Sequence, residues 1–262
     1  MPELAEVENY RRLAERLALR RPIATVDAPD AWYLKGGLTE EAIRAALVGR
    51  MFTDALRVGK LLLLSTSGDG PVVGLRFGMS GRLIVDGILG VEELWYASGR
   101  DEPRWARFRV GFVDGGGLVL RDPRRLGGVQ LDPSEDRLGP DALGVGLGQL
   151  RRALDRSRAP LKARLLDQKH LAGVGNLAAD EALWRAGLSP IRPAGSLTEA
   201  ELRRLHRHLR QTLDDFLVRG GSHTGDLMAE RRPGGACPKD GTPLRRETVG
   251  TRTTWWCPHH QR

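Results

Sequence analysis

The chain has 262 residues, enough for two modest domains each with its own core, and its 41 Lys+Arg against 33 Asp+Glu leave a formal charge of +8. Such an excess of basic charge points to a polyanion as partner. The sequence has no 18-residue apolar run and no signal-peptide pattern, and its two cysteines, Cys237 and Cys257, both lie near the end. These features argue against a membrane protein or a disulfide-built secreted fold, and a soluble, cytoplasmic protein is expected.

The opening residues, Pro2-Glu3-Leu4-Ala5-Glu6-Val7-Glu8, lead into a predicted amphipathic helix over 3–19 with Val7, Tyr10, Leu13 and Leu17 on one face. A proline followed by acidic residues is an ordinary helix start. It also has a chemical reading. With Met1 trimmed, Pro2 would present a secondary amine with a pKa near ~8, able to attack an aldehyde-like carbon and form an iminium. Glu3, beside it, could then shuttle a proton.

Strand-like runs follow at 21–27, 51–57, 60–66, 71–77, 82–86, 105–113 and 117–121, several separated by glycine-rich turns and interrupted by a helix at 38–48. Many short strands at this spacing predict a β-sandwich or barrel. Pro, Gly and Asp mark a linker over roughly 133–145, and helical patterns then continue to about 219. An apolar helix breaks at Gly173-Val174-Gly175-Asn176 and a second begins at once, which aims backbone N–H groups outward as a phosphate clamp. On its own, Gly-x-Gly is more often just a tight turn.

In the polar tail, Cys237-Pro-Lys-Asp240 and Cys257-Pro-His-His260 form two X–x2–X pairs. Pairs of this kind suit a zinc site on hairpin turns, with Cys237, Asp240, Cys257 and His260 as ligands and His259 competing with His260. The alternative is two unrelated cysteines in a loop-rich tail, although so small and polar a segment needs a staple to fold. The expected domains are 1–132, a β-sandwich; 133–225, a helical domain; and 226–262, a small tail that needs a staple.

Six motifs occur in order: the opening segment, Gly59-Lys60-Leu61-Leu62-Leu63, Gly78-Met79-Ser80-Gly81, Asp122-Pro123-Arg124-Arg125, Gly173-Val174-Gly175-Asn176 and the cysteine-pair tail. Together they resemble the formamidopyrimidine-DNA glycosylase/endonuclease VIII family, nearer to the first branch, over essentially the whole chain. The resemblance implies an α+β multi-domain fold, with an N-terminal helix and two-layered antiparallel β-sandwich, a helix–two-turn–helix domain and a zinc-finger β-hairpin. It implies a bifunctional glycosylase and abasic-site lyase acting by β,δ-elimination, with one structural zinc and no catalytic cofactor. Its partner would be double-stranded DNA holding a damaged base or abasic site, bound by a monomer.

Carried over residue by residue, the resemblance makes Pro2 the nucleophile, Glu3 the proton donor, Lys60 the lysine of phosphate positioning and β-elimination, and Arg252 the hairpin arginine of the second elimination. Asn176 would hold phosphates, and Arg158 and Lys162 would reach the backbone or the lesion. Met79, Arg124 and Leu126 would fill the gap left by a flipped nucleotide. Leu126 departs from the usual aromatic residue, and Trp105-Ala106-Arg107 stands where a His-x-His pair is usual, leaving Trp105 to stack and Arg107 to touch phosphate. Ala5 and Ala178 replace a proline and a tyrosine, and the lesion-capping segment is cut to 226–236. Two other readings remain open: a non-catalytic damaged-DNA binder, and a lyase with little base excision.

Overall fold

The computed structural model describes residues 2–95 and 102–262, which form two compact units, Met1–Glu135 and Asp136–Arg262. The segment read from sequence as a third domain, 226–262, lies within the second unit.

The first unit opens with α1 (Leu4–Leu17), started by a reciprocal capping box in which the Glu3 side chain accepts from the Glu6 backbone N–H and Glu6 Oε2 accepts from Glu3 N at 2.8 Å. Its chain order continues β1 (Ile23–Asp27), α2 (Glu40–Leu47), β2 (Phe52–Val58), β3 (Leu61–Thr66), β4 (Val73–Arg76), β5 (Arg82–Val85), β6 (Ile88–Leu89), β7 (Ala106–Phe112), β8 (Gly117–Arg121) and β9 (Gly128–Leu131). The strands pair antiparallel in two sheets, β2-β3-β4-β9 and β1-β7-β8-β5-β6. Along β7 the alternate residues Ala106, Phe108, Val110 and Phe112 are buried, the period-2 pattern of a sheet with one covered face. Phe108, Val110 and Phe112 join Leu62, Leu64, Val73 and Leu75 of the other sheet, with Val7, Tyr10 and Leu13 of α1, in one core.

The second unit holds α3 (Leu147–Leu154), α4 (Leu161–Leu166), α5 (Asn176–Ala186) and α6 (Glu199–Arg219), then the hairpin β10 (Arg245–Val249) and β11 (Arg252–Trp256). A capping box between Thr198 and Glu201 starts α6 and left-handed Gly220 ends it. The hairpin closes through Gly250 and Thr251, both at positive φ (56° and 64°), as a two-residue primed turn demands. A Cβ at Gly250 would stand 2.9 Å from the Ala163 Cβ, so the hairpin tip packs directly on α4.

Candidate nucleic-acid and metal sites

In the first unit α1 presents Pro2 and Glu3. Both are buried, and Glu3 is 1% exposed. The acidic residues Glu3, Glu6 and Glu8 are all buried. Each has a partner group to explain it. The Glu8 carboxylate receives Arg57 Nε at 3.0 Å, Arg11 Nε at 3.1 Å and Arg12 Nε at 3.1 Å. Arg57 Nη1 also donates to the Gly59 carbonyl at 2.9 Å, so the turn that carries Lys60 is anchored to the helix that carries Pro2.

Burial alone pushes the Glu8 carboxyl upward, but hydrogen bonds and attraction from Arg57 and Arg11 outweigh it and leave its pKa below the ordinary value. A carboxylate depressed in the folded state stabilises above its unfolded pKa and loses that contribution as pH falls through the folded one. Glu8→Gln is therefore expected to lower the urea midpoint at neutral pH, with the gap to the native protein closing below about pH 4. A gap of constant size across that range would assign the loss to packing instead.

The gap-filling candidates come from two touching loops. Gly78 has φ +55°, and a Cβ there would lie 2.4 Å from the Leu126 carbonyl carbon. The buried Asp122 carboxylate ties the loops together, accepting from Ser80 Oγ at 2.6 Å, Arg124 N at 3.2 Å and Gly127 N at 2.9 Å. Tyr10 of α1 adds a hydrogen bond from its hydroxyl to the Gly81 carbonyl at 3.1 Å. This structure brings Met79, Arg124 and Leu126 together, with Arg124 and Leu126 exposed and Met79 half-buried. Sequence reading quoted Asp122 only as part of a motif and missed its role, because its partners lie up to 42 residues away.

Arg107 donates to the Asp122 carbonyl at 3.0 Å and lies 3.6 Å from Asp30, whose carboxylate takes Arg125 at 2.7 Å through both oxygens. The Arg125 guanidinium beside it, against the cost of burial, holds the Asp30 carboxyl below its usual range. An open cleft of about 670 Å³ is lined by Trp32, Arg104, Arg107 and Arg125 among others. Trp105 is half-buried at the end of a short 3₁₀ turn.

In the second unit the Gly-Val-Gly-Asn turn is braced by Gln168, whose Oε1 accepts from Gly173 N at 2.9 Å and whose Nε2 donates to the carbonyls of Val174 (3.0 Å) and Leu166 (2.8 Å). Asn176 is the first residue of α5, and its Nδ2 donates to the Thr253 carbonyl at 3.1 Å. Arg252 and Arg158 are exposed. Lys162, expected at the DNA or the lesion, is instead 0% exposed and ion-paired to Asp180 Oδ1 at 2.7 Å. Ala178, in the place of the family's usual tyrosine, is buried in α5.

The tail delivers the ligand set read from spacing: ligand atoms of Cys237, Asp240, Cys257 and His260 lie within 4.8 Å of one another. Two sulfurs, one imidazole and one carboxylate are a donor set that tetrahedral zinc accepts. The groups around it fit that use. Trp184 Nε1 donates to Cys237 Sγ at 3.4 Å, and His260 Nε2 lies 3.1 Å from the Trp184 carbonyl, which orients Nδ1 toward the cluster. His259 is 67% exposed at the rim and reaches Asp240 at 3.3 Å. The Thr242 backbone N–H holds the Asp240 carboxyl well below the usual carboxylate range. Lys239 Nζ donates to the carbonyls of Trp184 (3.0 Å) and Arg185 (3.2 Å), which bolts this knuckle to the C-terminal end of α5.

An N-terminal helix with a two-sheet sandwich, a helix–two-turn–helix unit and a metal-competent hairpin define an α+β class of multi-domain protein. Two family models match the chain: the formamidopyrimidine-DNA glycosylase N-terminal domain over residues 1–129 and the formamidopyrimidine-DNA glycosylase H2TH domain over 138–227. The formamidopyrimidine-DNA glycosylase of Thermus thermophilus is 36% identical over 286 residues, spanning 98% of this chain and 97% of that protein. That of Heliobacterium modesticaldum is 37% identical over 297 residues, spanning all of both. The solved structure of the Lactococcus lactis protein in complex with FAPY-dG-containing DNA matches with a TM-score of 0.83 and 25% identity, over 99% of this chain and 100% of that one. The chain belongs to the formamidopyrimidine-DNA glycosylase family.

Proposed function

We propose that this protein is a bifunctional DNA glycosylase and abasic-site lyase of base-excision repair, working as a monomer on duplex DNA with one structural zinc. The observation that carries the reading is the Pro2–Glu3 pair, held at the start of α1 by the capping box with the carboxylate buried. DNA binding alone needs neither group. Freed of Met1, the Pro2 nitrogen attacks the deoxyribose C1′ and the C1′–base bond breaks, the base leaving with the proton that the amine gives up; the C1′–O4′ bond then opens as Glu3 delivers a proton to O4′, leaving an iminium. Loss of a C2′ proton then expels the 3′ phosphate, assisted by Lys60. A second elimination expels the 5′ phosphate, assisted by Arg252, and water frees Pro2. Zinc supplies no chemistry to these steps; it would hold the hairpin through Cys237, Asp240, Cys257 and His260.

The nucleotide reaches C1′ attack only when flipped out of the stack. Met79, Arg124 and Leu126 fill the space it leaves, while Asn176, Arg158, Arg107 and Trp105 hold the backbone or stack. With residues 226–236 short for a lid, and Ala5 and Ala178 each smaller than the residue usual at its place, weak discrimination against large lesions is expected. Oxidised pyrimidines, formamidopyrimidines or bulkier adducts are then the expected substrates. The Lactococcus lactis relative has been solved with N7-benzyl-Fapy-dG-containing DNA, which supports tolerance of bulk. The test is a panel of duplexes with one lesion each. Abasic-site cleavage is expected to outpace excision of 8-oxoguanine opposite cytosine by tenfold or more, roughly the discrimination one mismatched pocket contact supplies. Equal rates on the two would contradict that reading of the lesion side, and no cleavage of any duplex would contradict the enzyme.

A further inference from the structure

Lys162, Asp180 and Arg231 form a buried cluster of charged side chains in the second unit. The Asp180 carboxylate, on the second turn of α5, takes Lys162 Nζ at 2.7 Å through Oδ1 and the Arg231 guanidinium through Oδ2, and these side chains are 1%, 0% and 5% exposed. Removing three charges from water is costly, and a cluster of this kind is weak as a source of stability but effective at fixing one geometry. Its remaining hydrogen bonds show which geometry. Lys162 Nζ also donates to Thr254 Oγ1 at 2.7 Å and to the Thr253 carbonyl at 3.2 Å. Trp255 N–H points at Asp180 Oδ2 from 3.4 Å. The Thr253 carbonyl is the same one that Asn176 grips, and it follows Arg252 directly in β11.

Arg231 comes from the shortened segment 226–236, and that segment is itself pinned to α5. Glu181 accepts from the backbone N–H groups of Asp226 (3.1 Å) and Leu227 (3.0 Å), and the Asp226 carboxylate holds Arg185 and Arg219, each at 2.7 Å.

We propose that Lys162 and Arg231, through their shared Asp180, are positioning residues that lock strand β11, and with it Arg252, against the Asn176 turn, so that segment 226–236 serves as a strut where a lid would otherwise be. The role assigned to Arg252 rests on the reading under Proposed function; the locking itself does not. Neither cation touches DNA. Each acts through the strand it holds.

The test uses the full-length protein and three variants, Lys162→Met, Arg231→Met and Lys162→Arg. Either methionine variant leaves Asp180 one cation, so both are expected to fold. Amide hydrogen exchange at Thr253, Thr254 and Trp255 should accelerate by about tenfold or more in both methionine variants, with α6 unchanged, as local opening of one element predicts. Affinity for a duplex holding a tetrahydrofuran abasic analogue should fall by about tenfold, in the range of one or two lost charge-assisted phosphate contacts. In single turnover on an abasic duplex, the second elimination should slow more than the first, and Lys162→Arg should restore most of each loss. Unchanged exchange in β11 would overturn the proposal. So would equal slowing of both eliminations with β11 protection intact, because that pattern belongs to a residue at the reacting atoms. If the native protein cleaved nothing, the enzymatic reading would fail, while exchange and affinity would still decide whether the strand is locked.

Discussion

Glu3→Gln is expected to lower base excision from a damaged duplex by about 10²–10⁴-fold, the usual contribution of a positioned proton donor, and to leave duplex binding nearly intact. The substitution separates chemistry from folding. Glu3 caps α1 by accepting the Glu6 backbone N–H and by donating its own N–H to Glu6 Oε2. A glutamine carbonyl still accepts the first bond and the backbone still makes the second. Both capping bonds, and with them the helix start, are retained. What is lost for chemistry is the proton. Single-turnover excision measured beside thermal unfolding tells the two apart. A variant that excises at the native rate would leave Glu3 as a helix cap and no more.

Metal removal is expected to have the larger effect on stability. Structural zinc contributes about 10–16 kcal/mol of apparent binding energy to small metal-dependent folds at neutral pH, and residues 226–262 bury few apolar side chains of their own. In the small cluster of Cys237 and Cys257 with Trp184 and Leu227, the two cysteines are themselves residues of the metal site. Because the knuckle is fastened to the end of α5 by His260, Lys239 and Gln261, the last donating to the Leu188 carbonyl at 3.0 Å, the loss should spread into the helices. Purified protein is expected to hold one zinc per chain, and chelation should shift the melting of the second unit downward and change tryptophan emission, since Trp184, Trp255 and Trp256 lie in or beside the knuckle. Metal-free protein that melts as the native does would contradict a structural metal, and Asp240→Ala with undiminished zinc content would remove Asp240 from the ligand set.

Much of the sandwich was legible because β7 and β8 alternate buried and half-exposed residues, and because β3 is a run of leucines bounded by turns. Strand β9, Gly128–Leu131, escaped. Its approach through Gly127-Gly128 reads as turn, and only pairing with β4 makes it a strand. The ligand set of the tail was readable from spacing, but the choice of His260 over its neighbour required the Trp184 carbonyl. The long-range charges were the least readable. Lys162 was placed at the backbone or the lesion by the resemblance alone, whereas its position is set by Asp180, by Arg231 and by two threonines of β11, partners that no local pattern announces. Glu8 is a case of the same kind, since its partner Arg57 lies 49 residues away.

The most direct test of the central claim is borohydride trapping on a duplex with one abasic site, with mature native protein and Pro2→Gly side by side. A covalent protein–DNA adduct with the native chain, lost or strongly reduced in the variant, is the predicted result and identifies the N-terminal amine as nucleophile. If neither protein traps while both still bind the duplex tightly, Pro2 is not the nucleophile, and the chain is a binder of damaged DNA built on a glycosylase scaffold.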